Sequence, residues 1–403
     1  MAHAFPIRPE AAAAPLSGIV DVVNFGRTQP GLIPLWVGEG DLPTPGFINE
    51  AATRSLAAGE TFYTWQRGIP ELRAAIAAYV GRLYGRSLDM ERFAVTMGGM
   101  HAMQIAARLV SGPGDEVVIP TPAWPNFGGA LSVAGATTVE VPMTLSAQGW
   151  DLDLGRIADA ITPKTRAIVI NSPANPTGWT ASIDELRDIL TLARKHGIWI
   201  IADEIYGRFV YDASPMIGER AASFHDVAED DDLIIYCQTF SKNWAMTGWR
   251  IGWIEAPAAL GQTVENLIQY STSGTAVFVQ RAGLAALEHG EGFVAHQIAR
   301  AKRGREIVYE GLKQANRIVA PPPPGAFYAF FEVPGIDARA LAIRLVEEAG
   351  VGLAPGTAFG APGRDCLRLC FARKAEDLEE VMRRLGPFLR EFTDQDVRVR
   401  DYP

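Results

Sequence analysis

Short apolar runs without polar alternation punctuate the middle of the chain. Residues 116–120 (EVVIP), 166–171 (RAIVIN), 198–203 (IWIIAD) and 233–238 (LIIYCQ) are each dominated by aliphatic, mostly β-branched side chains. A run that is apolar on both alternating faces is the pattern of a parallel strand covered from both sides. Between the second and third runs lies SIDELRDILTLARKHG, where Ile183, Leu186, Ile189, Leu190 and Ala193 recur at helical spacing. Ser182 followed by Glu185 is a capping box, and Gly197 is a stop signal. Strand, helix, strand in this order predicts βαβ units, hence an α/β fold with a mostly parallel sheet between helical layers. Upstream, VTMGGMHAMQIAARLVSGPGDEV reads as a strand, a glycine pair, a helix and a Ser-Gly-Pro-Gly stop.

The two ends are patterned differently. Residues before about position 45 are rich in proline and glycine and show little period. A four-proline run at 321–324 cannot lie inside a helix. After it come a strand-like AFYAFFEV, a helical stretch at 338–349, a short strand at CLRLCF and a closing helix rich in Glu and Arg. The pattern predicts an N-terminal arm (1–45) that contributes to a smaller domain, a large domain (46–290) and a C-terminal α+β small domain (291–403).

Composition narrows the classes. At 403 residues and 48% hydrophobic, the chain is long enough for two domains and a large core. A net charge of −9 argues against a nucleic acid or an anionic membrane as partner. No apolar run approaches a bilayer span, and Pro6, Arg8, Pro9 and Glu10 interrupt the start where a leader would need its apolar core. Three cysteines, Cys237, Cys366 and Cys370, are no disulfide framework, and no second Cys/His pair gives zinc spacing, so no metal is expected. The expected location is the cytoplasm. Only six of the 37 basic residues are lysines. Five sit in a loop (Lys164), at a helix end (Lys195) or in charged helical segments (Lys302, Lys313, Lys374). The sixth, Lys242, is the only charged residue from Leu233 through Trp249.

In open parallel sheets, ligands bind beyond the carboxyl ends of the strands. The residues there are SPANPTG after RAIVIN, Asp203, Glu204 and Tyr206 after IWIIA, and TFSKNWAMTGWR after LIIYCQ. Each has an ordinary reading: a loop lysine, a strand-end carboxylate, a core tryptophan, a tight glycine turn. Each also has a chemical one. A desolvated Lys242 becomes a neutral nucleophilic amine able to form a Schiff base. Asp203 can pair with a cationic ring nitrogen, and Arg250 can clamp an anion. The helix starting at Gly98 and Gly99 offers free amides to a phosphate. Trp124 can stack on a planar ring. Together they suit pyridoxal 5′-phosphate, for which a protein supplies a lysine Schiff base and an acid at the pyridine nitrogen.

At these residues the sequence resembles the class I/II aminotransferases, fold type I pyridoxal-phosphate enzymes. GEGDLPTP, YTWQRGIPELRAAIA, NSPANPTG, IADEIYGRFVY, SKNWAMTGWRIGW, PGTAFG and CLRLCFA carry the resemblance over nearly the whole chain. It implies that Lys242 holds the cofactor and then shuttles a proton, that Asp203 keeps the ring nitrogen protonated, and that Tyr206 and Asn175 bind the ring oxygen. Gly99, Met100, His101, Thr239 and Arg250 are implied at the phosphate, with Tyr63 reaching in from the second subunit of a homodimer. Trp124 is implied on the ring, Arg368 on the substrate α-carboxylate, and Gly38 on the substrate pocket wall. The implied activity is transfer of the amino group of an L-amino acid to a 2-oxo acid by a ping-pong mechanism; a β-eliminating carbon–sulfur lyase on the same scaffold is the alternative. Gly40-Asp41-Leu42 and Trp65-Gln66 depart from the family pattern near the expected substrate pocket, and Arg27 is a further candidate to reach it.

Overall fold

The computed structural model describes residues 6–12, 14–15, 18–212, 216–315 and 318–391. Its centre is a seven-stranded sheet built from β1 (Phe93–Thr96), β2 (Glu116–Thr121), β3 (Thr137–Pro142), β4 (Thr165–Asn171), β5 (Trp199–Asp203), β6 (Ile234–Thr239) and β7 (Gly252–Glu255). The spatial order is β1-β7-β6-β5-β4-β2-β3. The four apolar runs read from the sequence are β2, β4, β5 and β6, which occupy adjacent central places and pair in parallel. Their continuous hydrophobicity reflects two covered faces. Val117, Ile119, Val169 and Ile201 pack to one side with Ala102, Met103 and Ile105 of the helix Gly99–Val110. Val118, Ile168, Ile170 and Ile200 pack to the other with Leu186, Ile189 and Leu190 of the helix Ile183–His196.

Two strands were not legible as apolar runs. The edge strand β3 carries the exposed Thr137 and Glu140. β7 is four residues long, runs antiparallel to both neighbours and ends on the buried Glu255. That carboxylate is matched by Arg92 Nε at 3.0 Å and His225 Nε2 at 3.2 Å, which is how a charge is tolerated in a central strand.

The capping box at Ser182 forms as expected. The Glu185 amide donates to Ser182 Oγ at 3.2 Å, and the Ser182 amide donates back to Glu185 Oε2 at 2.7 Å. Gly197 closes the helix with φ +63°, a backbone conformation in the left-handed region that favours glycine.

The second sheet is antiparallel, ordered β8 (Tyr328–Glu332), β10 (Cys366–Cys370), β9 (Ala354–Pro355). The helical stretch expected at 338–349 is α-helical over Ala338–Arg344 and continues as a π-turn, Leu345–Ala349. Ile33–Pro34 pairs in parallel with Val351–Gly352, tying the N-terminal segment to the C-terminal one. Trp36 lies so close over Gly352 that a Cβ there would overlap its ring. No helix among the described residues is long and apolar enough to cross a membrane.

Candidate active site

Parallel pairing brings the strand ends to one level. Asn171 at the end of β4 stands in register with Asp203 at the end of β5, and Asp203 in register with Cys237, two residues before Thr239 closes β6. Beyond these ends opens a cavity of about 400 Å³. Its lining includes Gly38, Gly99, Met100, Trp124, Asn175, Asp203, Tyr206, Thr239, Lys242, Arg250 and Arg368, eleven of the thirteen residues selected from the sequence.

Lys242 follows β6 on the turn Ser241–Ala245 and donates from Nζ to the Gly38 carbonyl at 2.6 Å. Burial pushes its amine down to about 8, against the pull of the neighbouring Cys370, Glu39 and Asp203. Asp203 is 4% exposed. Burial pushes its carboxyl up to about 7, opposed by the Ile205 amide, which donates at 3.3 Å, and by Lys242. A carboxyl in this condition is one that a cation in the cavity would return to its charged form.

At the start of the helix Gly99–Val110 the first amides, Gly99 and Met100, have no preceding turn to accept them. Gly98, at φ +83°, makes the turn, and a Cβ on it would meet the Arg250 guanidinium at 2.8 Å. Thr239 Oγ1 bonds Ser241 Oγ at 2.8 Å behind the same turn. Glycine amides, two hydroxyls and a guanidinium around one gap form a cradle for an anion.

At the opposite wall, Arg368 is the middle residue of β10 and 3% exposed. It donates from Nη1 to Asn175 Oδ1 at 2.8 Å and from Nη2 to the Trp36 carbonyl, while its Nε is buried without a partner among the described residues. The guanidinium lies over the rings of Tyr328 and Phe359, 4.6 and 4.9 Å from their centroids. An unpaired buried donor on a cation facing the cavity is an unmet demand for an acceptor.

A scan against family models matches residues 31–385 to aminotransferase class I and II. Aspartate aminotransferase of Thermotoga maritima is 36% identical over 358 residues, 89% of this chain and 91% of that one. Its crystal structure superposes with a TM-score of 0.88 at 34% identity, covering 95% of this chain and 100% of that chain. An aromatic aminotransferase of Pyrococcus horikoshii superposes with a TM-score of 0.84 at 32% identity, covering 92% and 99% of the two chains. The chain belongs to the class I and II aminotransferases.

This aminotransferase therefore has the fold type I architecture, uses pyridoxal 5′-phosphate and transfers amino groups. Its cavity fits that cofactor by its own chemistry: an amine held near neutrality, a buried carboxyl of raised pKa, and a glycine-lined anion cradle.

Two selected residues lie elsewhere. His101 is buried behind the cradle. Its amide donates to the Gly98 carbonyl, its Nδ1 accepts the Met97 amide at 3.1 Å, and its Nε2 meets Ser271 Oγ at 2.9 Å. Burial holds its imidazole down to about 4, so it braces the turn as a neutral ring. The expectation that its amide serves the phosphate is corrected: first-turn bonding has already used it. Tyr63 is 97% exposed and does not line its own chain's cavity. Arg27 is exposed at the end of the helix Gly18–Gly26, outside the cavity. Asp41, between the departures Gly40 and Leu42, serves structure: it pairs with Arg300 at 2.8 Å and accepts the Lys374 amide at 2.7 Å.

Sequence reading missed Tyr328, Asn171 and Ser241, all of which line the cavity. The Tyr328 and Tyr206 hydroxyls bond each other at 2.6 Å. Asn171 donates to the Asp203 carbonyl at 3.0 Å and accepts the Asn175 amide at 2.7 Å. Asn171 and Ser241 stood inside the quoted motifs, directly at strand ends; Tyr328 gave no such signal, because its strand belongs to the other sheet.

Proposed function

We propose that Lys242, Asp203 and Tyr206 form the catalytic set of this aminotransferase, with Arg368 as the α-carboxylate clamp. The observation that carries the proposal is one cavity holding a half-buried amine of lowered basicity, a buried carboxyl of raised pKa and a buried arginine with an unpaired Nε. When bound, pyridoxal 5′-phosphate supplies the electron sink that stabilises negative charge at the substrate α-carbon. Lys242 holds the cofactor by its amine. With its Nζ free, Lys242 would be a base already near neutrality, placed to move the substrate α-proton. Asp203 holds a proton at the ring nitrogen by opposite charge in a dry site. Tyr206 and Asn175 donate to the ring oxygen, with Tyr328 supporting the Tyr206 hydroxyl. Gly99, Met100, Thr239 and Arg250 hold the phosphate, and Trp124 covers the ring. Arg368 fixes the substrate by its carboxylate, aligning the α-carbon with Nζ. Each substrate, amino acid then 2-oxo acid, uses the same groups in turn, giving ping-pong kinetics.

The working unit we propose is a homodimer in the cytoplasm. Phe62, Tyr63, Trp65 and Tyr270 are large exposed aromatics. The Trp65-Gln66 backbone runs beside Gly274, and Ser271 of that turn contacts His101 behind the phosphate cradle. An aromatic patch bordering the cradle supports Tyr63 reaching a second subunit's phosphate. Three free, buried cysteines support a reducing compartment. The arm (1–45), large domain (46–290) and small domain (291–403) are supported by the pairing of Ile33–Pro34 with Val351–Gly352 and by the two separate sheets.

Lys242→Ala is expected to abolish the visible absorption of lysine-bound cofactor and to lower turnover by roughly 10²–10⁴-fold, the range of general acid–base catalysis. Full turnover in that variant refutes the catalytic set. Light scattering is expected to give a dimer, and a fully active monomer excludes the shared site.

A further inference from the structure

We infer that the donor this enzyme selects is an amino acid with a large apolar side chain, and its product the matching apolar 2-oxo acid. The inference rests on the aminotransferase reading of the cavity. Among its described lining residues only Asp203, Lys242, Arg250 and Arg368 carry charge, and each is committed to cofactor or α-carboxylate. The apolar part of the wall is Ile19, Trp36, Val37, Met100, Trp124 and Ile205. Ile19 and Val37 come from the N-terminal segment, and the adjoining Trp36 accepts Arg368 Nη2 at its carbonyl. Through Trp36, this apolar lining is continuous with the α-carboxylate clamp.

Polar side chains of the lining already have partners within the chain. Asn171 donates to the Asp203 carbonyl and accepts the Asn175 amide, Asn175 accepts from Arg368, and Asn126 Nδ2 faces Met100 Sδ at 3.5 Å. A distal carboxylate would lose its water against this wall and gain no cation. The exposed aromatic patch proposed to meet the second subunit carries no charge of its own. Residues 61–66 (TFYTWQ) and 267–280 (LIQYSTSGTAVFVQ) contain no charged side chain. An apolar side chain exchanges water for aliphatic and indole surface, and such a pocket rewards each added methylene.

The test uses the purified holoenzyme. Single-turnover absorbance changes are followed with L-leucine, L-methionine and L-phenylalanine, and with L-aspartate and L-glutamate. Calorimetry gives the affinities of unreactive 3-phenylpropionate and maleate. The expected result is at least a tenfold advantage in kcat/KM for the apolar donors and at least tenfold tighter binding of 3-phenylpropionate. Met100→Lys, a replacement of similar length that adds a cation to the wall, is expected to raise maleate affinity at least tenfold. Aspartate or glutamate reacting as well as the apolar donors, or maleate binding as tightly as 3-phenylpropionate, overturns the inference and leaves amino transfer standing. Unchanged maleate affinity in Met100→Lys also overturns it, because Met100 is then no part of the wall. If no donor of either class produces the absorbance change, the aminotransferase reading of the cavity itself fails.

Discussion

Gly38→Ala puts a single methyl group against the centre of the site. A Cβ at position 38 would fall well inside van der Waals contact of the Tyr328 hydroxyl and 3.1 Å from its Cζ. Tyr328 has little room to yield. It is fully buried, its hydroxyl is tied to Tyr206 at 2.6 Å, and its ring lies under the Arg368 guanidinium at 4.6 Å. Gly38 cannot retreat freely either, because its carbonyl accepts Lys242 Nζ at 2.6 Å. The methyl therefore disturbs three proposed site residues at once. Overpacking of a close-fitted interior costs about 1–3 kcal/mol, which corresponds to a loss in kcat/KM of about 5- to 150-fold if it falls on the transition state. Tyr328→Phe removes the oxygen that makes the closest contact and leaves the ring. The double variant is expected to recover part of what Gly38→Ala loses, with a coupling on the order of 1 kcal/mol in the mutant cycle. The assay is the single-turnover half-reaction of all four proteins. Strictly additive losses refute the steric argument, because they show that the methyl does its damage somewhere other than at the hydroxyl.

Two further predictions follow from buried charge. Because burial holds Lys242 near 8 rather than the ordinary 10.5, its reactive neutral form gains until about pH 8 and then levels. Capture of pyridoxal phosphate by apoenzyme, followed by stopped-flow absorbance, should accelerate up to about that pH and flatten beyond it; a rate still climbing towards pH 10 places the amine in water. Arg92→Met leaves the buried Glu255 with His225 alone and is expected to cost about 3 kcal/mol, the lower end for a broken buried pair, read as a reduced urea midpoint. An unchanged midpoint shows that the pair contributes nothing.

The sequence alone determined much of the scaffold. Runs apolar on both faces identified β2, β4, β5 and β6, because burial from two sides removes polar alternation at the level of consecutive residues. The capping box at Ser182 was equally local. Lys242 could be singled out because a lone charge in a strand-and-turn segment contrasts with its own neighbours. The cofactor groups clustered after strand ends for a topological reason: parallel strands bring their carboxyl ends to one side.

Only the tertiary structure decided what meets across that edge. Tyr328 and Arg368 belong to the second sheet, and nothing in their local pattern brings a tyrosine hydroxyl to Tyr206 or a guanidinium to Asn175. His101 sits beside two cavity residues in sequence, yet the first helical turn uses its amide and the fold buries its ring behind the cradle. The apolar wall likewise joins Ile19, Trp36 and Val37 to Met100 and Trp124, segments that sequence spacing leaves unrelated. Periodicity records which side of an element is buried. Which groups converge, and which amine is pressed into its less basic form, depends on register and packing between elements distant in the chain.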